Sequence, residues 1–470
     1  MPYSSPSDES DGFVFSEKPE GFGSRTGVDF PRRSAGPKDP FGDSFGGSFG
    51  QSMPDSPALK GGNMTSRERV LTALNHHEPD RVPIDCSGHR SSGISVLLYP
   101  KLREYLGLPA RLIRVYDIVQ QLAVIDDDVL EYFGIDTIEL GRGFALRDED
   151  WTPWVLPDGT LCEVPAWSVP EREPKRWVIR SDSGRVIAQM PDGALYFEQT
   201  YYPFFEKANL EAIPQAQAES MWTAIASPPG PLVQGPRGDD IYREGAKRLR
   251  EKTTRAILGL FGGNLLEMGQ FLYRNDGFLL LLAEDPDQVH AFLDRIVEAH
   301  LKNLEHFLGI VGQSIDIIVF GDDLGMQSGP QISPAMYREF FKPRHKLMWS
   351  RAKQLADVKV MLHCCGGVRE LLPDLIDAGL DAINPVQISC SGMDVGSLKS
   401  EFGTEMVFWG GGCDTQRILP QGTPEEIQRH VRHQVDILKR GGGFVFQQVH
   451  NVLADAPPEN VVAMFEAVNS

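Results

Sequence analysis

The stretch "VMLHCCGGVRELLPDLIDAGLDAINPVQ", residues 360–387, carries two short apolar runs with a helical stretch between them. Residues 359–365 and 382–387 read as strands. The same alternation extends along the chain in both directions. Short β-branched runs stand at 82–86, 137–140, 256–260 and 316–320, and again at 406–410 and 444–448. Helix signals separate most of them. "TPEE" at 423–426 places Thr at the N-cap, Pro at the first helical position and Glu at the third. "SPAMYREFF" from 333 repeats the Ser-Pro start, and "KRGGG" at 439–443 is a basic last turn followed by glycine stops. Eight strands with intervening helices predict an α/β fold of the (β/α)8 TIM barrel type.

Two segments break this rhythm. Residues 149–200 hold "PDG" turns at 157–159 and 191–193, flanked by alternating Trp, Val and Tyr. They predict a β-hairpin insertion between strands 2 and 3. It is expected to cover the barrel, with a lid or an oligomer contact, such as that of a homodimer, as alternatives. Residues 1–63 are nearly half Gly, Ser and Pro, too poor in apolar surface to offset the entropy of ordering. They are expected to be a disordered tail, and residues 64–470 the folded domain. At its start, Thr65 and Glu68 form a capping-box pattern ahead of the apolar stripe Val70, Leu71 and Leu74.

Composition narrows the function. The chain has 470 residues, 41% of them hydrophobic, and a net charge of −19. Such an acidic surface repels phosphate backbones and anionic lipid, so neither nucleic acid nor membrane is an expected partner. No apolar stretch approaches the ~18 residues of a spanning helix. The opening "MPYSSPSDESDG" lacks the features of a secretory signal. Six cysteines without small-domain disulfide spacing fit a cytoplasmic protein.

The chemistry is expected at the carboxyl ends of the strands. Residues two apart in a strand share a face, so His363 and Cys365 should point into the barrel mouth and Cys364 toward the helices. Imidazole and soft sulfur together suit zinc, which needs at least a third protein ligand. His450, after "FVFQQV", and Cys413, after "WGGG", stand on neighbouring strand ends as alternatives. Gln448 and Asn451 flank His450 as supporting hydrogen-bond donors. Arg90 could clamp a carboxylate. Asp322 and Asp323 either orient a ligand histidine, hold substrate or cap a loop, and Glu267 contacts substrate or serves the helix dipole. "GGG" at 410–412 is a candidate phosphate cradle.

From about residue 64 onward, the sequence resembles the uroporphyrinogen decarboxylase superfamily, which includes corrinoid-dependent methyltransferases. The resemblance rests on "MTSRERVLTALNHHEPDRVP", "ISPAMYREFFKP" at 332–343, "LHCCGGVRELLPDLIDAGLDAINPVQ" and the closing "GTPEEIQRHVRHQVDILKRGGGFVFQQVHNVLADAPPENVVAMFEAV". Its zinc methyltransferase branch implies His363 and Cys365 as zinc ligands. The branch's distant third cysteine is replaced here by His450. This reading implies a small-molecule substrate and a methylated corrinoid on a separate protein as methyl donor. The decarboxylase branch implies metal-free carboxy-lyase chemistry of porphyrin biosynthesis. Of that branch's substrate-binding arginine pair, "CSGHRSSG" retains only Arg90. Its tyrosine after strand 3 is absent from "GLFGGNLLEMGQ", where Gln270 stands, and Asp323 lies near its serine. A mouth offering Glu267, Asp322 and Asp323 against Arg90 would repel a substrate with eight carboxylates. A non-catalytic binding barrel is the third expectation.

Overall fold

The computed structural model describes residues 63–140, 148–226 and 235–470, all within one compact unit. The expected tail, 1–63, lies outside the described residues except for its last residue. Seven parallel strands form one curled sheet: β1 (Thr137–Leu140), β2 (Ala256–Gly262), β3 (Ile317–Gly321), β4 (Lys359–His363), β5 (Ala382–Asn384), β6 (Val407–Trp409) and β7 (Phe444–Val445). They are hydrogen-bonded in chain order, from β1 at one edge to β7 at the other.

The strand expected at 82–86 is a correction: it is reduced to a single parallel bridge, Ile84 to Phe446. Pro83 has no N–H for a ladder, and Ser87 turns to φ 68. The segment nevertheless contacts both edges of the sheet. Asp85 N–H donates to Phe446 O and Phe446 N–H to Pro83 O, while the Asp136 and Glu139 N–H groups donate to Ile84 O and Ser87 O. The sheet therefore curls as in a TIM-like barrel, with seven regular strands where eight were expected.

Both faces of this sheet are apolar, as a parallel sheet covered by helices requires. Alternate residues Leu258, Val319, Met361, Val407 and Val445 fill the interior, closed at one end by Val70 and Leu74 of α1 (Ser66–Leu74). Their neighbours Ile257, Ile318, Leu362, Ile383 and Phe408 pack outward among the surrounding helices. The capping boxes at Thr65–Glu68 and Thr423–Glu426 are formed.

Several expected strands stop early. The runs at 359–365, 382–387 and 444–448 end at His363, Asn384 and Val445. Gly366 leaves the ladder at φ 90, and Pro385 lacks the N–H to continue β5. Between β1 and β2, Trp151–Val155 pairs antiparallel with Leu161–Pro165. Arg176–Arg180 pairs antiparallel with Glu171–Glu173 and Val186–Pro191, and the latter with Glu198–Gln199. No helix among the described residues is long and apolar enough to cross a membrane.

Candidate metal centre

His363 ends β4, level with Gly321 of β3 and Asn384 of β5. Met361, two residues earlier, is an interior residue, so His363 faces inward at the carboxyl end. Cys365 Sγ lies 3.5 Å from His363 Nε2. Cys364 points the other way into the outer apolar layer, where its sulfur accepts the Leu324 N–H at 3.2 Å. The Gly366 that follows is required by close packing: a Cβ there would lie 2.2 Å from the Gly325 carbonyl carbon. The loop after β7 brings in His450. One ligand atom each from His363, Cys365 and His450 lie within 4.8 Å of one another.

Cys413 is not part of this group. It is fully buried in the outer layer, with its thiol toward Asp414 O at 3.8 Å. The "GGG" before it leaves no space for phosphate, since a Cβ on Gly412 would lie 2.2 Å from the Phe446 ring. Those glycines accommodate packing side chains.

The tautomers of His363 and His450 follow from their partners. Asn384 Nδ2 donates to Trp409 O and to Gln447 Oε1, so its Oδ1 is the acceptor facing His363 Nδ1 at 2.9 Å. His363 must therefore be protonated on Nδ1, which in the neutral ring leaves the lone pair on Nε2. His450 repeats the device. Asn451 Nδ2 donates to Gln120 Oε1, and Asn451 Oδ1 accepts from Tyr196 OH and from His450 Nδ1–H at 3.0 Å. Burial and neighbouring His363 hold His450 below the usual histidine range. Burial and the Asp323 carboxylate push the Cys365 thiol well up.

This donor set fits zinc. Tetrahedral zinc with nitrogen and sulfur ligands separates its donors by about 3.5 Å, the spacing His363 and Cys365 already have. Two of the three donors are further aligned by side-chain amides, the usual support for metal-bound imidazole.

His363 and His450 line a cavity of about 290 Å³. Phe197, Trp222, Phe271 and Phe320 form its aromatic wall; His89, Asn264, Glu267 and Asp323 its polar part. Asp323 Oδ1 accepts the Cys365 N–H at 2.7 Å and sits 3.9 Å from His363 Nε2. Glu267 accepts from Asn264 Nδ2 at 2.6 Å, and burial beside Asp323 and Asp322 pushes its carboxyl well up, toward the neutral form. Arg90 lines the cavity and meets Asp117 at 3.4 Å. Asp322 is fully buried and accepts the Leu266 and Glu267 N–H groups at the start of α2 (Leu266–Tyr273). Its position is that of a helix cap.

Sequence reading passed over Asn384, although it shares the carboxyl end of a strand with the residues that were read. It also passed over His89, which neighbours Arg90. Tyr196 and Gln120 come from segments outside the strand–helix repeat and carry no local signal.

Known proteins with related sequence or fold are consistent with this architecture. Residues 243–470 match the model of the uroporphyrinogen decarboxylase (URO-D) family. The chain is 26% identical over 188 residues to a uroporphyrinogen decarboxylase of Psychromonas ingrahamii, covering 39% of this chain and 49% of the relative. To that of Legionella pneumophila it is 28% identical over 142 residues, covering 30% and 38%. The matches thus span about half or less of these relatives' length. A methyltransferase from Methanosarcina mazei shares the fold with a TM-score of 0.53 at 20% identity, over 86% of this chain and 98% of that one.

Proposed function

From the match of residues 243–470 to the uroporphyrinogen decarboxylase family model and the geometry of the site, we propose that the chain is a zinc-dependent methyltransferase whose metal is held by His363, Cys365 and His450. The observation that carries this reading is the convergence of those three donors within 4.8 Å, two of them with their Nε2 lone pairs turned toward the trio by Asn384 and Asn451. Bound zinc would supply a Lewis acid that lowers the pKa of an acceptor thiol or similar nucleophile. Asp323, on the cavity wall, is the carboxylate in reach to take the acceptor's proton. The methyl group would come from a methylated corrinoid on a separate protein. That donor would supply a methyl cation equivalent to the acceptor and keep the cobalt–carbon electron pair. The aromatic residues Phe197, Trp222, Phe271 and Phe320 give the cavity an apolar wall beside these groups.

Cavity size and the Asp323 carboxylate support a small substrate. The cavity, about 290 Å³, lies at the lower edge of the roughly 300–1,000 Å³ of drug-sized sites. Asp323 and Glu267 line it, and its cation Arg90 already faces Asp117. A small molecule without multiple negative charges fits. Purified protein should contain about one zinc per chain, lost in His363→Ala. Protein without zinc, unaltered by His363→Ala, would remove the premise.

A second reading rests on the curated relatives, which are uroporphyrinogen decarboxylases: metal-free decarboxylation of a tetrapyrrole. Turnover of uroporphyrinogen by chelator-treated protein would decide for it.

A further inference from the structure

A third histidine stands beside the two ligand histidines with the opposite proton arrangement. The Ser91 backbone N–H donates to His89 Nδ1 at 3.2 Å, and the Ser91 hydroxyl lies 2.9 Å from the same nitrogen. A nitrogen that accepts an N–H carries a lone pair, which excludes both the Nδ1-protonated tautomer and the imidazolium. The ring proton of His89 is therefore on Nε2. Ser91 is itself held in place, since its hydroxyl lies 3.0 Å from Asn384 Oδ1 and receives Gln447 Nε2 at 3.1 Å. One network thus gives His363 and His89 complementary roles: Asn384 turns a lone pair of His363 toward the trio, and Ser91 leaves His89 an N–H. His89 is 2% exposed, lines the cavity, and has its ring centroid 4.8 Å from that of His363.

We infer that His89 is the hydrogen-bond donor to whichever electron-rich atom, oxygen, nitrogen or sulfur, takes the open position of the metal centre. This rests on the zinc reading above. Its function is to select and orient an acceptor-bearing ligand over an apolar one, because a ligand without a lone pair would leave the buried N–H unsatisfied.

The test uses full-length protein loaded with cobalt(II), whose visible absorption reports ligand exchange, titrated with azide. Wild type, His89→Phe and His89→Gln should each take up about one cobalt. Azide should bind about tenfold more weakly to His89→Phe, while His89→Gln, which retains an N–H donor, recovers most of the affinity. His89→Leu replaces the phenylalanine variant if the larger ring prevents folding. Unchanged azide affinity in the apolar variant overturns the inference, as does absence of any azide response in wild type. Loss of cobalt from the apolar variant also overturns it, since His89 would then support the metal itself. Wild type that takes up no cobalt instead removes the zinc reading, and this inference with it.

Discussion

Cys364 and Cys365 are adjacent, yet the fold gives them different neighbours. Strand alternation separates them, and the separation survives although β4 ends at His363. The Cys364 N–H still bonds Asn384 O, so the chain keeps an extended course for one more residue before Gly366 turns it. Cys365→Ser should accordingly reduce zinc uptake by orders of magnitude, because a hydroxyl is a far poorer zinc ligand than a thiolate. Cys364→Ala should keep the metal and lose about 2–3 kcal/mol of stability, from lost packing and from the Leu324 N–H left without its acceptor. Metal analysis beside urea denaturation checks both. Metal lost from Cys364→Ala and kept in Cys365→Ser would reverse the facing of both side chains. This part of the site was legible in the sequence because a period of two is local. Asp322 and Asp323 were not separable in the same way. Which carboxylate caps α2 and which faces the cavity depends on where the Leu266 and Glu267 N–H groups lie.

At the scale of elements, His450 is held by parts of the chain that belong to no barrel strand. Tyr196 lies between the strands Val186–Pro191 and Glu198–Gln199, and Gln120 in the loop after Ile113–Asp117. Both bond Asn451, and Asn451 bonds His450. Removing the amide in Asn451→Ala should weaken zinc binding by about 10–100-fold, the usual cost of losing the partner of a metal-bound imidazole. Tyr196→Phe leaves Asn451 tied to Gln120, so its cost should be one hydrogen bond of ~1 kcal/mol, about fivefold. Competition with a chromophoric chelator measures both constants. Equal affinities in Asn451→Ala and wild type would show that the loop holds His450 without help. The "PDG" turns made antiparallel strands legible in this region, but nothing in the spacing of 149–200 tells which side chain reaches the barrel mouth.

For the molecule as a whole, the segment that contacts both sheet edges is secured by buried charge. Asp136 is fully buried and accepts Arg69 Nη1 at 2.6 Å, Arg81 Nη1 at 2.7 Å and the Ile84 N–H at 2.9 Å. It thereby joins α1 and the segment around Ile84 to the start of β1. Asp136→Ala would remove the carboxylate that Arg69 and Arg81 share, leaving Arg69 on Asp80 and Arg81 on the Val82 and Gly134 carbonyls, and should destabilise the protein by about 3 kcal/mol. The urea midpoint measures this; a midpoint equal to wild type would place closure of the sheet elsewhere.

From the sequence alone followed the α/β alternation, the strand positions to within a few residues, the helix caps and the common facing of His363 and Cys365. All of these depend on neighbours a few residues apart, where the backbone period sets the direction of each side chain. Only the tertiary structure decided that His450 lies beside the pair while Cys413 packs outward, that 82–86 contributes a single bridge, and that His89 carries its ring proton on the other nitrogen from His363 and His450. Each of these depends on which backbone or amide group lies opposite across the barrel. That is set by register between distant strands and by closure of the sheet, which no local pattern encodes.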